Sequence, residues 1–237
     1  MPSSHLQYLP LTPGLFSILV LIAIGLVILI QLRILRYAYM RLGVSSGAAF
    51  LLLVGSLLGS YFNIPLAVLP GAPSNSAEVI EFFGMRYVVP LVTRSETVIA
   101  VNVGGAVIPT LMSLYLLIRY QLWMSGALAT AIVSAVIHMA ATPVHGLGIA
   151  VPVFAPALTT AIVSFVLSRE YAPPLAYISG SLGTLIGADL LNLDKVAGLG
   201  APVASIGGAG TFDGIFLTGI LAVLMASIVT PHPREVR

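Results

Sequence analysis

Apolar stretches of about the length needed to cross a lipid bilayer, roughly 20 residues, recur along this chain. Hydrophobic side chains make up 58% of the 237 residues and charged side chains only 8%. Ordinary soluble domains carry roughly a quarter charged residues. The sequence therefore predicts an all-α, polytopic transmembrane bundle that forms one integral membrane domain over residues 1–237.

Seven segments of the chain are predicted to span the membrane. They lie near residues 14–32, 44–62, 98–118, 122–142, 147–168, 173–193 and 212–230. Two long outer connections separate some of them. Residues 63–97 are expected to hold an amphipathic segment that lies in the membrane interface. Residues 194–211 are rich in glycine and predict a re-entrant or tightly packed loop.

The cations are unevenly distributed between the two ends of these spans. Seven arginines would share one side: Arg33, Arg36, Arg41, Arg119, Arg169, Arg234 and Arg237. Only Arg86, Arg94 and Lys195 would lie on the other side. Because cytoplasmic loops carry the excess of Lys and Arg, we expect an outer N-terminus and a cytoplasmic C-terminus. The predicted location is the cell (inner) membrane, with several passes.

Several function classes receive no support from the sequence. It has no basic run of the kind that follows nucleic-acid phosphates, and no Cys for a thiolate metal site or a Cys nucleophile. His138 and His145 are too far apart to share a metal on one helix, unless Pro143 breaks that helix. We therefore predict no nucleic-acid partner, no metal and no cofactor.

A set of ionisable and amide side chains within or at the ends of the predicted spans lies in their outer half: Asn102, His138, His145, Asp189, Asn192 and Asp213. A carboxylate inside a bilayer costs at least about 2.5–3.5 kcal/mol, so it normally faces a partner or a cavity. This gathering at one depth predicts a site that binds a cation or a small solute.

Asp189 and Asp213 belong to adjacent antiparallel spans at matched depth. That geometry permits a close pair, which could hold a proton, bind a cation or carry out acid–base chemistry. The alternative is that each is a helix cap, and Asp213 before Gly214 has the character of an N-cap. His138 likewise could be a packing residue at the end of a stripe of small side chains.

Three stretches carry a resemblance to a known family. They read "AVNVGGAVIP" from residue 100, "GTLIGADLLNL" from residue 183 and "SIGGAGTFDGIFLTGILAV" from residue 205. On these motifs the chain resembles, over most of residues 98–225, a prokaryotic family of integral membrane proteins that is catalogued as a domain of unknown function. This resemblance implies no activity and assigns no functional residue.

A looser resemblance is to presenilin-type and signal-peptide-peptidase proteases. It is carried by "LIGAD", "TFDG" and "FAPAL", although the motifs stand in a different order here. It implies that Asp189 and Asp213 would be the catalytic pair of an intramembrane aspartyl peptidase.

Three functions remain open from the sequence. The first is proton- or cation-coupled transport of a small solute, with Asp189 and Asp213 as the titrating pair beside Asn102, His138 and Asn192. The second is the aspartyl peptidase, in which one Asp activates water and the other protonates the leaving group. The third is a non-catalytic subunit or scaffold whose glycines pack against partner helices in the bilayer.

Overall fold

The structure, a computed structural model, describes residues 32–70, 79–82, 85–88, 96–144, 148–152, 154–196, 203–208 and 214–229, and the single positions 21, 25 and 28. Three helices in these ranges are long and apolar enough to span a membrane: Val103–Tyr120, Trp123–Ala140 and Ala172–Val196. Shorter apolar helices are Ser46–Gly59, Pro156–Leu167 and Thr218–Ile228.

The described chain is mostly helical. Its helices are α1 (residues 32–40), α2 (Ser46–Gly59), α3 (Ile108–Tyr120), α4 (Trp123–Ala140), α5 (Phe154–Leu167), α6 (Ala172–Thr184), α7 (Leu193–Val196) and α8 (Gly214–Val229). Two π-helical turns interrupt the long helices. The first π-turn (Val103–Val107) precedes α3, and the second π-turn (Leu185–Asp189) follows α6.

Within the described ranges, seven short strands correct the all-α prediction: β1 (Asn63–Pro70), β2 (Val79–Phe82), β3 (Met85–Val88), β4 (Glu96–Asn102), β5 (Thr142–Val144), β6 (Gly148–Ala150) and β7 (Val203–Ile206). The largest sheet has the order β1–β4–β7, in which β1 is antiparallel and β7 is parallel to β4. Strands β2 and β3 form one antiparallel pair, and β5 and β6 form another.

The strands lie partly in the predicted connections and partly in the predicted spans. Residues 63–97 hold β1, the β2–β3 pair and the start of β4, and residues 194–211 contain β7. The predicted span at 147–168 begins with β6. The predicted span at 98–118 begins as β4 and becomes helical only at Val103. Val98, Ile99 and Val101 are apolar and β-branched, so they suit a strand, yet they join the following helix in one apolar run.

Helix α6 lies at the centre of the bundle, and all of its residues except Leu182 are buried. Its glycines mark its closest contacts. A Cβ on Gly180 would lie 3.1 Å from the Cα of Gly219 in α8, and one on Gly183 would lie 2.6 Å from the Val133 side chain in α4. The absence of a side chain at these positions lets neighbouring helices approach closely, as small residues do in membrane bundles.

The helices run alternately between two ends of the molecule. At the arginine end, which holds Arg41, Arg119 and Arg169, Arg41 donates to the Ser227 carbonyl and Tyr120 donates to the Leu42 carbonyl. At the opposite end, the sheet end, β1, β4 and β7 pair beside the two π-turns. The predicted site residues that the structure describes lie toward the sheet end: Asn102, His138, Asp189 and Asn192.

Candidate functional site

The segment that follows α6 is irregular and carries the centre of the candidate site. The second π-turn passes into a 3₁₀ turn at Leu190–Asn192 and then into α7. Asn192 is fully buried, and its Nδ2 donates to the carbonyls of Gly187, at 3.0 Å, and Ala188, at 2.9 Å. The side chain thereby satisfies carbonyls of the distorted turn. π-Helical turns of this kind are frequent at functional sites.

His138 of α4 meets the same amide. Its Nδ1 lies 3.2 Å from Asn192 Nδ2, across 54 residues of sequence. Because two backbone carbonyls also face Nδ2 and can only accept, this atom is the donor, and His138 Nδ1 is the acceptor. The compatible neutral imidazole carries its proton on Nε2. Three acceptors share the two hydrogens of Nδ2, so the amide is fully engaged.

Lys195 completes what we call the Asn192 cluster: His138, Asn192, Lys195 and the two carbonyls. Its Nζ donates to Asn192 Oδ1 at 2.7 Å. From the sequence, Lys195 was counted only as an outer cation. Its spacing of three residues from Asn192 was a signal for this contact, since such pairs are neighbours on a helix. The cluster thus joins an imidazole and an ammonium through one buried amide.

Asp189 engages the end of strand β7. Its Oδ2 accepts a hydrogen bond from the Gly207 backbone N–H at 2.7 Å. Gly207 has a φ of +90°, and a Cβ on Gly105 would lie 1.9 Å from its carbonyl oxygen. Asp189 therefore helps to hold a tight contact between the glycines that follow β4 and β7.

Asn102 caps the first π-turn. It is fully buried, and its Oδ1 accepts from Gly105 N–H at 2.8 Å. Its Nδ2 donates to the Ser60 carbonyl, at 2.7 Å, and to Asn63 Oδ1, at 3.1 Å. These bonds join α2, β1 and the start of the third predicted span, which gives Asn102 a positioning role.

The structure brings together two of the predicted site residues, His138 and Asn192. It places Asp189 against a backbone amide and Asn102 at a helix cap. Asp213 and His145 lie outside the described residues, so a pairing of Asp189 with Asp213 stays a prediction. Within the described ranges, no group of three His, Asp or Glu side chains could hold a metal ion.

Comparison with known families identifies the family to which the chain belongs, but that family carries no assigned activity. A family model described as "Protein of unknown function (DUF1614)" matches residues 57–225. Because this match covers more than half of the chain, the protein belongs to that family. No curated protein and no solved structure matches the chain.

Proposed function

We propose that this member of the DUF1614 family is a multi-pass carrier of the cell (inner) membrane that moves a small solute together with a proton or another cation. The observation that carries the proposal is the Asn192 cluster. A fully buried amide joins an imidazole, an ammonium and two backbone carbonyls, and it does so between two candidate membrane spans. Polar groups at such positions are expensive and mark ion and solute pathways.

The broken course of the helix after α6 favours a binding role for this cluster. Many carriers bind ions and solutes where a membrane helix is interrupted, because the interruption frees backbone carbonyls from helical bonds. Here the interruption lies at Leu185–Asn192, and the Gly187 and Ala188 carbonyls already bond to a side chain. Displacing the Asn192 amide would present both carbonyls to a solute that donates hydrogen bonds.

Proton coupling follows from the donor and acceptor pattern at His138. A second proton on Nδ1 would place a donor opposite the amide donor of Asn192, so this hydrogen bond would be lost. Lys195 lies on the other side of the amide, and its charge opposes the approach of another cation. Protonation of His138 would therefore loosen the link between α4 and the segment after α6.

The proposed topology has seven spans, with the N-terminus outside and the C-terminus in the cytoplasm. It is supported by the alternation of α2, α3, α4, α5, α6 and α8 between the arginine end and the sheet end, since cations gather on the cytoplasmic side. Helix α2 has 14 residues, and at about 1.5 Å per residue it is about 21 Å long. This is less than a hydrocarbon core of about 30 Å, so such a helix would cross only with its flanking residues.

The geometry around Asp189 leaves the peptidase open. Its Oδ2 accepts a backbone hydrogen bond from Gly207, and a carboxylate bonded in this way keeps lone pairs with which it could activate water. The bond gives Asp189 a part in holding the sheet end against the second π-turn. The peptidase and the scaffold are therefore kept as outcomes of the test.

Proton movement into proteoliposomes tests the proposal. The purified full chain would be reconstituted with a pH-sensitive dye inside and exposed to an inward sodium gradient, then to a panel of small alcohols, amides and amino acids. We expect a pH change with at least one of these probes. It should fall about tenfold or more in His138→Gln and Asn192→Ala and persist in Ser113→Ala, which removes a buried hydroxyl of α3 away from the cluster.

Identical traces for wild type, variants and protein-free liposomes would contradict the carrier. If those preparations instead cleaved a transmembrane model peptide, and Asp189→Asn abolished the cleavage, the peptidase would replace it. Absence of both activities would favour the scaffold.

A further inference from the structure

Three oxygen atoms meet at the sheet end of the molecule. Ser205 Oγ lies 2.6 Å from Asn63 Oδ1 and 2.6 Å from the Gly208 carbonyl oxygen. Because β1 and β7 flank β4, the contact between Ser205 and Asn63 crosses the middle strand of the sheet. The first contact is exposed and the second is only partly buried, so solution reaches this group. We call the three atoms the Ser205 oxygens.

The Ser205 oxygens share too few hydrogens for their contacts. Both contacts have the length of an O–H···O hydrogen bond, about 2.5–3.0 Å. The Ser205 hydroxyl carries one hydrogen, and a carbonyl or amide oxygen can only accept. One of the two contacts therefore sets lone pairs against each other at 2.6 Å. Such a contact is repulsive unless a positive charge lies between the oxygens.

Turning the Asn63 amide around does not supply the missing hydrogen. Asn102 Oδ1 accepts from Gly105 N–H at 2.8 Å, which fixes Asn102 Nδ2 on the side of Asn63. A nitrogen in place of Asn63 Oδ1 would then face this amide donor at 3.1 Å. Asn63 therefore presents its oxygen to Ser205, and the excess of acceptors remains.

A two-glycine turn positions the carbonyl of Gly208. Gly207 and Gly208 have φ values of +90° and +82°, a conformation that glycine adopts far more readily than other residues. The Gly208 N–H donates to the Ser205 carbonyl at 3.0 Å, and the Gly207 N–H donates to Asp189 Oδ2 at 2.7 Å. The turn is therefore held at both glycines, and a carboxylate bonds to the residue next to Gly208.

A monovalent cation would supply the charge that these oxygens lack. Carriers use backbone carbonyls of this kind to coordinate sodium, whereas calcium and magnesium sites usually include carboxylate ligands. With a cation among the three oxygens, the Ser205 hydrogen turns to water, and Asn63 Oδ1 keeps its bond from Asn102. Oxygens this close together suit a small ion, which favours sodium over potassium.

We propose that the Ser205 oxygens bind a sodium ion, and that this ion is the cation with which the carrier moves its solute. The proposal rests on the proposed function in taking sodium as the coupling ion. It places the ion apart from the Asn192 cluster, where the charge of Lys195 opposes a cation. Binding would tie Asn63 to the two-glycine turn across β4. Because Asp189 bonds to that turn, the ion would also stabilise the position of the second π-turn.

Thermal unfolding of the full chain in detergent micelles tests the site without transport. Sodium or potassium chloride would replace choline chloride at constant ionic strength, with Trp123 fluorescence as the readout. An ion that binds only the folded chain raises the unfolding midpoint in a concentration-dependent way. We expect this rise with sodium and a much smaller one with potassium. Ser205→Ala should increase the half-saturating sodium concentration about tenfold or more, and Asn63→Asp, which adds charge to one ligand, should lower it about tenfold.

Ser60→Ala is the matched control, since this hydroxyl lies at the same end of the molecule and donates to the Leu57 carbonyl of α2. It should respond to sodium as the wild type does. Equal midpoint shifts in sodium and potassium chloride would overturn the proposal, because they would report a general effect of salt. An unchanged sodium response in Ser205→Ala and Asn63→Asp would also overturn it.

Transport by the same variants separates this site from the proposed function. Sodium binding that depends on Ser205, without sodium-driven proton movement in proteoliposomes, would contradict the carrier alone. Sodium-driven proton movement that persists at the wild-type rate in Ser205→Ala would retain the carrier and overturn this site.

Discussion

Replacing Asn192 with alanine tests whether the buried amide holds α4 to the segment after α6. The change removes the donor shared by the Gly187 and Ala188 carbonyls and by His138, and the acceptor used by Lys195. A typical hydrogen bond contributes about 0.5–1.5 kcal/mol net, and a buried group left unpaired costs about 1–3 kcal/mol. With two carbonyls and the imidazole affected, we expect a loss of about 2–4 kcal/mol in the free energy of unfolding.

The assay is reversible unfolding in mixed detergent micelles, followed by the fluorescence of Trp123 at the start of α4. Asn63→Ala is the matched control, since Asn63 also accepts two side-chain hydrogen bonds but is exposed to solvent. Water can replace those bonds, so its loss should stay below about 1 kcal/mol. Equal losses in Asn192→Ala and Asn63→Ala would refute the reasoning, because the buried amide would then contribute no more than a surface one.

Three further perturbations test other contacts. Gly105→Ala would place a Cβ 1.9 Å from the Gly207 carbonyl oxygen, so the backbone would have to shift. We expect the free energy of unfolding to fall by about 2 kcal/mol or more. An unchanged unfolding curve would contradict this packing. Arg41→Met removes the guanidinium that donates to the Ser227 carbonyl near the end of α8, which should cost about 1–3 kcal/mol in the same assay. No loss would contradict a stabilising role for this hydrogen bond. Burial raises the pKa of the Tyr39 hydroxyl from 10.0 to about 12. As the pH rises, Tyr39 therefore loses its proton in the unfolded chain before it does so in the folded protein. The free energy of unfolding should fall between pH 10 and 12, by about 2–3 kcal/mol for this group. Titration of the unfolding free energy should show a smaller alkaline loss in Tyr39→Phe, and an equal loss would contradict the burial.

The sequence predicted the helical elements better than the strands. Helix α4 lies at Trp123–Ala140 against a predicted span of 122–142, because apolar residues continue along its whole length. Strand β4 was missed, since its apolar, β-branched residues pass without a polar break into the helix that follows. Parallel pairing of β4 with β7 joins segments about a hundred residues apart in the chain, which no local pattern reveals.

The candidate site was predicted in part. His138 and Asn192 were placed at one depth because they interrupt apolar spans, and they do contact each other. Their direct bond could not be derived, because it depends on how the helix after α6 is distorted and on how closely α4 approaches Gly187. The bond from Gly207 to Asp189 was hidden for a similar reason: its donor is a backbone N–H, and the identity of a residue does not report where its backbone points.

Nitrogen-15 NMR of His138 tests the central claim most directly. In histidine-labelled protein in nanodiscs, comparison with His138→Gln assigns this imidazole among the 4 histidines of the chain. We predict that Nδ1 of the neutral ring is shifted as a hydrogen-bond acceptor and that this shift disappears in Asn192→Ala. A proton on Nδ1 in the neutral ring, or an Nδ1 signal that is insensitive to Asn192→Ala, would contradict the account.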